Sequence, residues 1–280
     1  PQQKSKRSLS CGEIQLAGKK RVIPSFFCSN SEEKIILVTI RCRDKTFPQI
    51  SAIIFDKDGT LEDSAAYLRQ LGQKRSRAID AQIPGVGDPL LMAFGINGDT
   101  LDPTGLIAVG SRRENEIAAA AYIAETGRGW IESLSIARRG FEEADRVLQK
   151  TAPSPLFVGC LEVLQFLSQA GLKLGILSAA RTSRVKEFVK YYQLENWIQL
   201  QMGVDEAPSK PDPVLFLQAC QKLGVEPGAT LMVGDSMADI EMAQKAGAAG
   251  CIGICWGNPE AAHLETADVA IAQLDEIQIV

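Results

Sequence analysis

The chain has 280 residues, 45% of them hydrophobic, with 34 acidic against 30 basic side chains and a formal net charge of -4. That length suits one α/β domain with an inserted or appended module. The negative balance argues against nucleic acid or an anionic membrane surface as a partner, and no apolar run approaches the roughly 20 residues of a membrane-spanning helix.

Residues 1–34 mix Lys4, Lys6, Arg7, Lys19, Lys20 and Arg21 with Ser, Gln and Asn, without helical or strand periodicity. They read as a disordered or loosely packed extension with no catalytic role. The basic, acid-poor start shares that much with organelle transit peptides but shows no amphipathic helix and no secretory apolar region. Seven cysteines are scattered along the chain, none in a CxxC pair, which fits buried thiols in a reducing, cytoplasmic setting. Cys251 and Cys255 lie in CIGICW, an alternation that reads as core packing and not as a metal site.

From residue 35 onward, IILVTIRC and TFPQISAIIFD read as strands separated by the turn Arg43-Asp44-Lys45. The run 51–55 is apolar on both faces, the mark of a central parallel strand. KLGILS, IQLQMGV, TLMVGD and GCIGICW repeat that theme between stretches of helical spacing, an alternation that specifies a doubly wound parallel sheet. Between them, residues 62–153 carry helical patterns: SAAYLRQLGQKRSRAIDAQI, DPLLMAF, RRENEIAAAAYIAET and WIESLSIARRGFEEADRVLQK, divided by Pro84, Gly85, Pro103, Gly105, Gly127 and Gly129. The expected organisation is a Rossmann-like α/β core over 35–61 and 154–280, with an inserted all-helical module over 62–153.

Four segments carry chemistry. In IIFDKDGTLEDS a buried strand delivers Asp56 and Asp58 at alternate positions, which projects both to one side of the chain. Strand carboxyl ends in such sheets face the ligand crevice, and two acids there invite a divalent cation. Gly59 permits a tight turn and close approach of a phosphate, and Thr60 offers a hydroxyl to it. LGILSAAR delivers Ser178 at a strand end, followed by Ala179. SKPDPVLF sets Lys210 before a Pro-x-Pro turn and a helix start. TLMVGDSMADIEMAQKAG ends a strand at Asp235 and repeats an acid, Asp239, one helical turn later on the same face.

Taken in order, DKDGT, Ser178, Lys210 and GDSMAD resemble the four motifs of the haloacid dehalogenase superfamily over about residues 51–271, and the whole layout resembles phosphoglycolate phosphatases. The resemblance implies a phosphatase that uses Mg²⁺, with Asp56 as nucleophile and Asp58 as general acid and base. Asp56, the backbone carbonyl of Asp58, and Asp235 are the implied metal ligands, with Asp239 acting through water or by orienting Lys210. Phosphate oxygens are expected on Ser178, Ala179, Lys210, Thr60, Gly59 and the Lys57 amide, with the Lys57 side chain solvated or facing the insert. Dehalogenases usually carry Tyr, and phosphonatases Ala, where Asp58 stands, so neither chemistry is implied.

The insert is expected to close over the site and select a small phosphorylated metabolite, 2-phosphoglycolate first. Arg112 and Arg113 open a helix there and read as a solvated face that could reach a substrate anion. A phosphomutase of the β-phosphoglucomutase kind shares the motifs but carries a histidine soon after the first, and the one histidine here is His263, read as an exposed helix residue. A silent binding module would have lost a motif carboxylate, and all four are present. Oligomeric expectation is a monomer or small homo-oligomer.

Overall fold

The computed structural model describes residues 36–148, 152–206, 208–258 and 261–280. The expected N-terminal extension lies outside them. All four residues of β3 (Ala52–Phe55) are buried, as an apolar run flanked on both faces requires. The chain reaches it through β1 (Val38–Cys42) and β2 (Lys45–Ile50). These two pair antiparallel, because Arg43 and Asp44 leave no room for the crossover that parallel pairing demands.

After β3 the insert runs through α1 (Ala65–Asp80), α2 (Gly87–Ala93), β4 (Ile96–Asn97), β5 (Thr100–Leu101), α3 (Leu106–Val109), α4 (Arg112–Glu125) and α5 (Trp130–Leu148). It is helical apart from the β4–β5 ladder, a departure from the all-helical expectation. Gly98, at φ 57°, turns the chain between Asn97 and Thr100, the backbone sign that a tight hairpin needs. Ser111 caps α4 and forms a capping box with Glu114. Ile79, Leu90, Phe94, Ile123, Ile136 and Phe141 form a core of the insert's own.

The chain then returns through α6 (Cys160–Gln169), β6 (Lys173–Ser178), α7 (Thr182–Tyr191), β7 (Ile198–Gly203), α8 (Pro213–Leu223), β8 (Thr230–Gly234), α9 (Met237–Lys245), β9 (Gly250–Ile254), β10 (Val269–Ile271) and β11 (Ile277–Ile279). Six strands form one sheet in the order β10-β9-β8-β3-β6-β7, every pair parallel. Alternation splits β3 between two cores. Ile53 and Phe55 pack with Leu164, Leu167, Phe188 and Val189 on one face, whereas Ala52 and Ile54 pack with Leu215, Phe216, Ile240 and Ala243 on the other. β11, β1 and β2 make a second, three-stranded sheet whose Ile40, Cys42, Phe47 and Ile277 join the first of these cores.

No helix among the described residues is long and apolar enough to cross a membrane. The described cysteines Cys42, Cys160, Cys220 and Cys251 are buried and unpaired, and Cys255 is half-buried.

Candidate active site

The carboxyl ends of three adjacent strands, β8, β3 and β6, deliver Asp235, Asp56 and Ser178 to one edge of the sheet. The ladder carries Asp56 past the end of β3, its N–H donating to the Val233 carbonyl at 2.8 Å. Gly59 turns the chain immediately afterwards with φ +79°, and a Cβ there would collide with the Asp235 carboxylate. This position therefore needs glycine on two counts, conformation and space.

Asp56, Asp235 and Asp239 each offer an oxygen within 4.8 Å of the others. Lys210 stands among them, with Nζ 2.5 Å from Asp56 Oδ1 and 2.6 Å from Asp239 Oδ1. Asp239 is fixed by its own helix start, since Ser236 Oγ donates to its Oδ2 at 2.6 Å and accepts from its N–H. Asp212 caps α8 through the Val214 N–H, with Pro213 as the first helical residue, and so anchors the turn that carries Lys210.

The charges are out of balance. Burial lifts Asp56 to about 7; Lys210 opposes the rise, and Asp239 and Asp58 add to it. Asp235 is raised well above the usual carboxylate range, first by burial and then by Asp56 and Asp239. Burial works against the Lys210 ammonium, but the Asp239 and Asp56 carboxylates outweigh it and raise its pKa. Three carboxylates and one ammonium leave two negative charges in a confined space. A divalent cation with oxygen preference would neutralise them, so the donor set fits Mg²⁺.

Asp58 does not join this trio. Its Oδ1 accepts from Lys57 Nζ at 2.6 Å, and its charge still bears on Asp56. The expected solvated or insert-facing Lys57 side chain is corrected: it is buried, donates to Asp58 and to Glu62, and stands 5.7 Å above the Phe188 ring. Burial opposes its charge, yet Asp58 and Glu62 raise its pKa. Glu62 also accepts from the Ser154 N–H at 2.7 Å, and Tyr192 donates to the Ser154 carbonyl at 2.6 Å. This carboxylate thus ties together the two segments through which the chain enters and leaves the insert.

Two further expectations change. Thr60 donates to Asp235 Oδ1 at 3.4 Å, steadying a carboxylate. The Ala180 amide donates to Ser178 Oγ at 3.1 Å. His263 is half-buried in a short 3-10 turn that contacts α9, with Nε2 3.2 Å from the Asp235 carbonyl.

Beside Asp58 and Ala179 a cavity of about 160 Å³ separates the core from the insert. Arg112 reaches it from the start of α4. Only 11% of its side chain is exposed, and it pairs with Glu116 at 2.7 Å and with Asp145. The solvated reading holds for Arg113, which is exposed, and fails for Arg112. Glu62, Arg75 and Asp145 had no sequence signal, since buried charges of this kind look like ordinary helix-surface residues.

The haloacid dehalogenase-like hydrolase family matches residues 50–247. A probable phosphatase, IndB, of Dickeya dadantii is 30% identical over 227 residues, covering 77% of this chain and 86% of that protein. A phosphoglycolate phosphatase of Pseudomonas putida is 26% identical, covering 76% of this chain and 71% of that one. Among solved structures, a predicted phosphoglycolate phosphatase from Haemophilus somnus superposes with a TM-score of 0.57 at 21% identity, covering 80% of this chain and 95% of its own. Sequence match and fold agree with the site described above, and the chain belongs to the haloacid dehalogenase-like hydrolases.

Proposed function

We propose that this haloacid dehalogenase-like phosphatase hydrolyses a small phosphorylated metabolite, with 2-phosphoglycolate the first substrate to test, through a phosphorylated Asp56. The observation that carries the reading is the meeting of Asp56, Asp235, Asp239 and Lys210 at one sheet edge, beside an Asp58 held by Lys57.

The Asp56 carboxylate attacks phosphorus, and the ester P–O bond breaks as an acyl phosphate forms on its oxygen. Asp58 gives its proton to the departing alkoxide, then takes one from the water that attacks the same phosphorus, releasing inorganic phosphate and restoring Asp56. Lys210 and the turn around Ser178 and Ala179 hold the phosphate oxygens as charge shifts across them. Asp56, the Asp58 carbonyl, Asp235 and Asp239 would hold Mg²⁺, which supplies charge neutralisation between nucleophile and phosphate. The insert, with its own core, is read as the cap that shields the reaction from water, and the free cysteines support a reducing, cytoplasmic setting.

The test is phosphate release from a panel of metabolite esters with Mg²⁺ and with chelator. Metal-dependent release from at least one ester is expected; release from none overturns the reading. The phosphomutase reading ranks second, since no histidine follows Asp58 closely and the one histidine, His263, lies 3.2 Å from the Asp235 backbone carbonyl.

A further inference from the structure

The cavity beside Asp58 holds a second charged cluster that the proposed hydrolysis does not use. Arg75 from α1, Arg112 from α4 and Arg181 from the turn into α7 line it together with Asp145 from α5. Arg75 lies 3.2 Å from Asp145 and 4.4 Å above the Phe141 ring, and Arg112 shares the same carboxylate and the same ring.

Two observations point to an anion as the ligand of this cluster. Arg75 has 7% of its side chain exposed, and its Nε–H has no acceptor, an arrangement that is costly unless something else supplies one. Arg181 makes no ion pair among the described residues, yet it stands close enough to add its charge to both neighbours. Burial, and then Arg112 ahead of Arg181, lowers Arg75 to about 9. Burial and then Arg181 lower Arg112 in the same way.

Five cationic side chains line the cavity against four carboxylates. Lys57 is committed to Asp58 and Glu62, and Arg184 to Glu187 at 2.9 Å. Lys57, Arg75, Arg112, Arg181 and Arg184 stand against Asp58, Glu62, Asp145 and Glu187, which leaves a surplus of one positive charge, while Glu116, outside the lining, is shared with Arg138. A monoanion balances that surplus, whereas a second phosphate would overshoot it. Guanidinium forks suit a planar carboxylate. The cavity volume resembles that of engineered cavities that hold a six-carbon ring, so the group it admits is short.

We infer that Arg75, Arg112 and Arg181 form a binding site for a carboxylate on the leaving group, and that the substrate is the phosphate ester of a short hydroxy acid. The inference rests on the phosphatase reading and deepens it: phosphate lies against Asp56, next to the Asp58 and Ala179 end of the cavity, and the carboxylate at its arginine end. Asp145 acts as the counterweight that sets the charge of that end.

The experiment compares kcat/KM with Mg²⁺ for three esters of similar size: 2-phosphoglycolate, 2-hydroxyethyl phosphate and ethylene glycol bisphosphate. The carboxylate ester should exceed the neutral one by about a hundredfold. Arg112→Gln and Arg181→Gln should each shrink that ratio about tenfold. Asp145→Asn should shift preference toward the bisphosphate, a change of direction that mere loosening of the fold would not produce. Equal turnover of all three esters, or an unchanged ratio in Arg112→Gln, overturns the subsite. Calorimetric binding of the same esters to wild type and Arg112→Gln decides it even if none is hydrolysed. That last outcome sinks the phosphatase reading and leaves carboxylate-selective binding to support or refute the subsite.

Discussion

Two buried lysines divide the site between them. Lys210 lies between Asp56 and Asp239 on the metal side, and Lys57 lies between Asp58 and Glu62 on the side of the insert. Both are almost fully enclosed and both have raised pKa values. They differ in what surrounds them. Lys210 faces more negative charge than it can neutralise, as a site waiting for a cation and a phosphate should. Lys57 faces a carboxylate it aims and one that anchors it, and Glu62 carries that anchorage to Ser154 across the mouth of the insert. Similar chemistry thus serves charge neutralisation in one place and positioning in the other.

The largest test removes the carboxylate that Lys210 serves. Asp56→Asn should lower kcat by roughly 10⁴-fold or more with no loss of thermal midpoint, because Lys210 keeps Asp239. Retained turnover in pure protein would break the scheme at its root. Lys210→Met should lower kcat by about 10²–10³-fold and destabilise the metal-free fold by about 3–5 kcal/mol, the usual effect of stranding buried partners. Denaturant titration measures the second figure.

Lys57→Met sharpens the contrast. It should cost about as much stability, since Glu62 is then stranded, but its effect on kcat should grow as the leaving group becomes a poorer one, because the loss falls on proton transfer by Asp58. Equal slowing of p-nitrophenyl phosphate and an alkyl phosphate would refute the positioning role. The double variant Lys57→Met with Glu62→Leu should recover stability to within about 1–2 kcal/mol of wild type without recovering turnover of the alkyl ester.

The smallest effect is one of pH. Asp56 titrates at about 7 in the fold against an ordinary 3.8. Its raised pKa therefore contributes stability in full below about pH 4, and that contribution is lost as pH rises through about 7. Thermal midpoints of the metal-free protein should fall between about pH 5 and about pH 8 relative to Asp56→Asn, and Mg²⁺ should restore them. A flat difference would show that burial and the neighbouring carboxylates do not raise Asp56.

Three residues of the sheet edge were legible in the sequence because each ends an apolar run, Asp56 after AIIF, Ser178 within KLGILS and Asp235 after TLMVG, whereas Lys210 and Asp239 were placed by the motifs around them. The insert's helices were legible from their period, and the observed bounds of α1, α2, α4 and α5 fall within a few residues of the expected ones. The insert side of the site was not legible. Lys57 and Glu62 are five residues apart across a turn, a spacing that no regular element brings together. Arg75 and Asp145 meet from helices 70 residues apart, and only the packing of the insert decides that meeting. β4, β5, β10 and β11 are two or three residues long, too short for alternation to register, although Asn97-Gly98 carried a hairpin signal.

The three-stranded sheet has a practical corollary. Residues near the two ends of the described chain are stitched into one ladder: Ile40 faces Ile279, Val280 N–H donates to the Thr39 carbonyl at 3.0 Å, and Arg41 reaches Gln278. The stretch 50–247 shared with the family includes neither side of that seam. A fragment trimmed to it would keep every proposed catalytic residue and still bare the flank of the sheet that Ile40, Phe47 and Ile277 seal. The smallest piece of this protein able to stand alone is therefore longer, at both ends, than the piece that carries its chemistry.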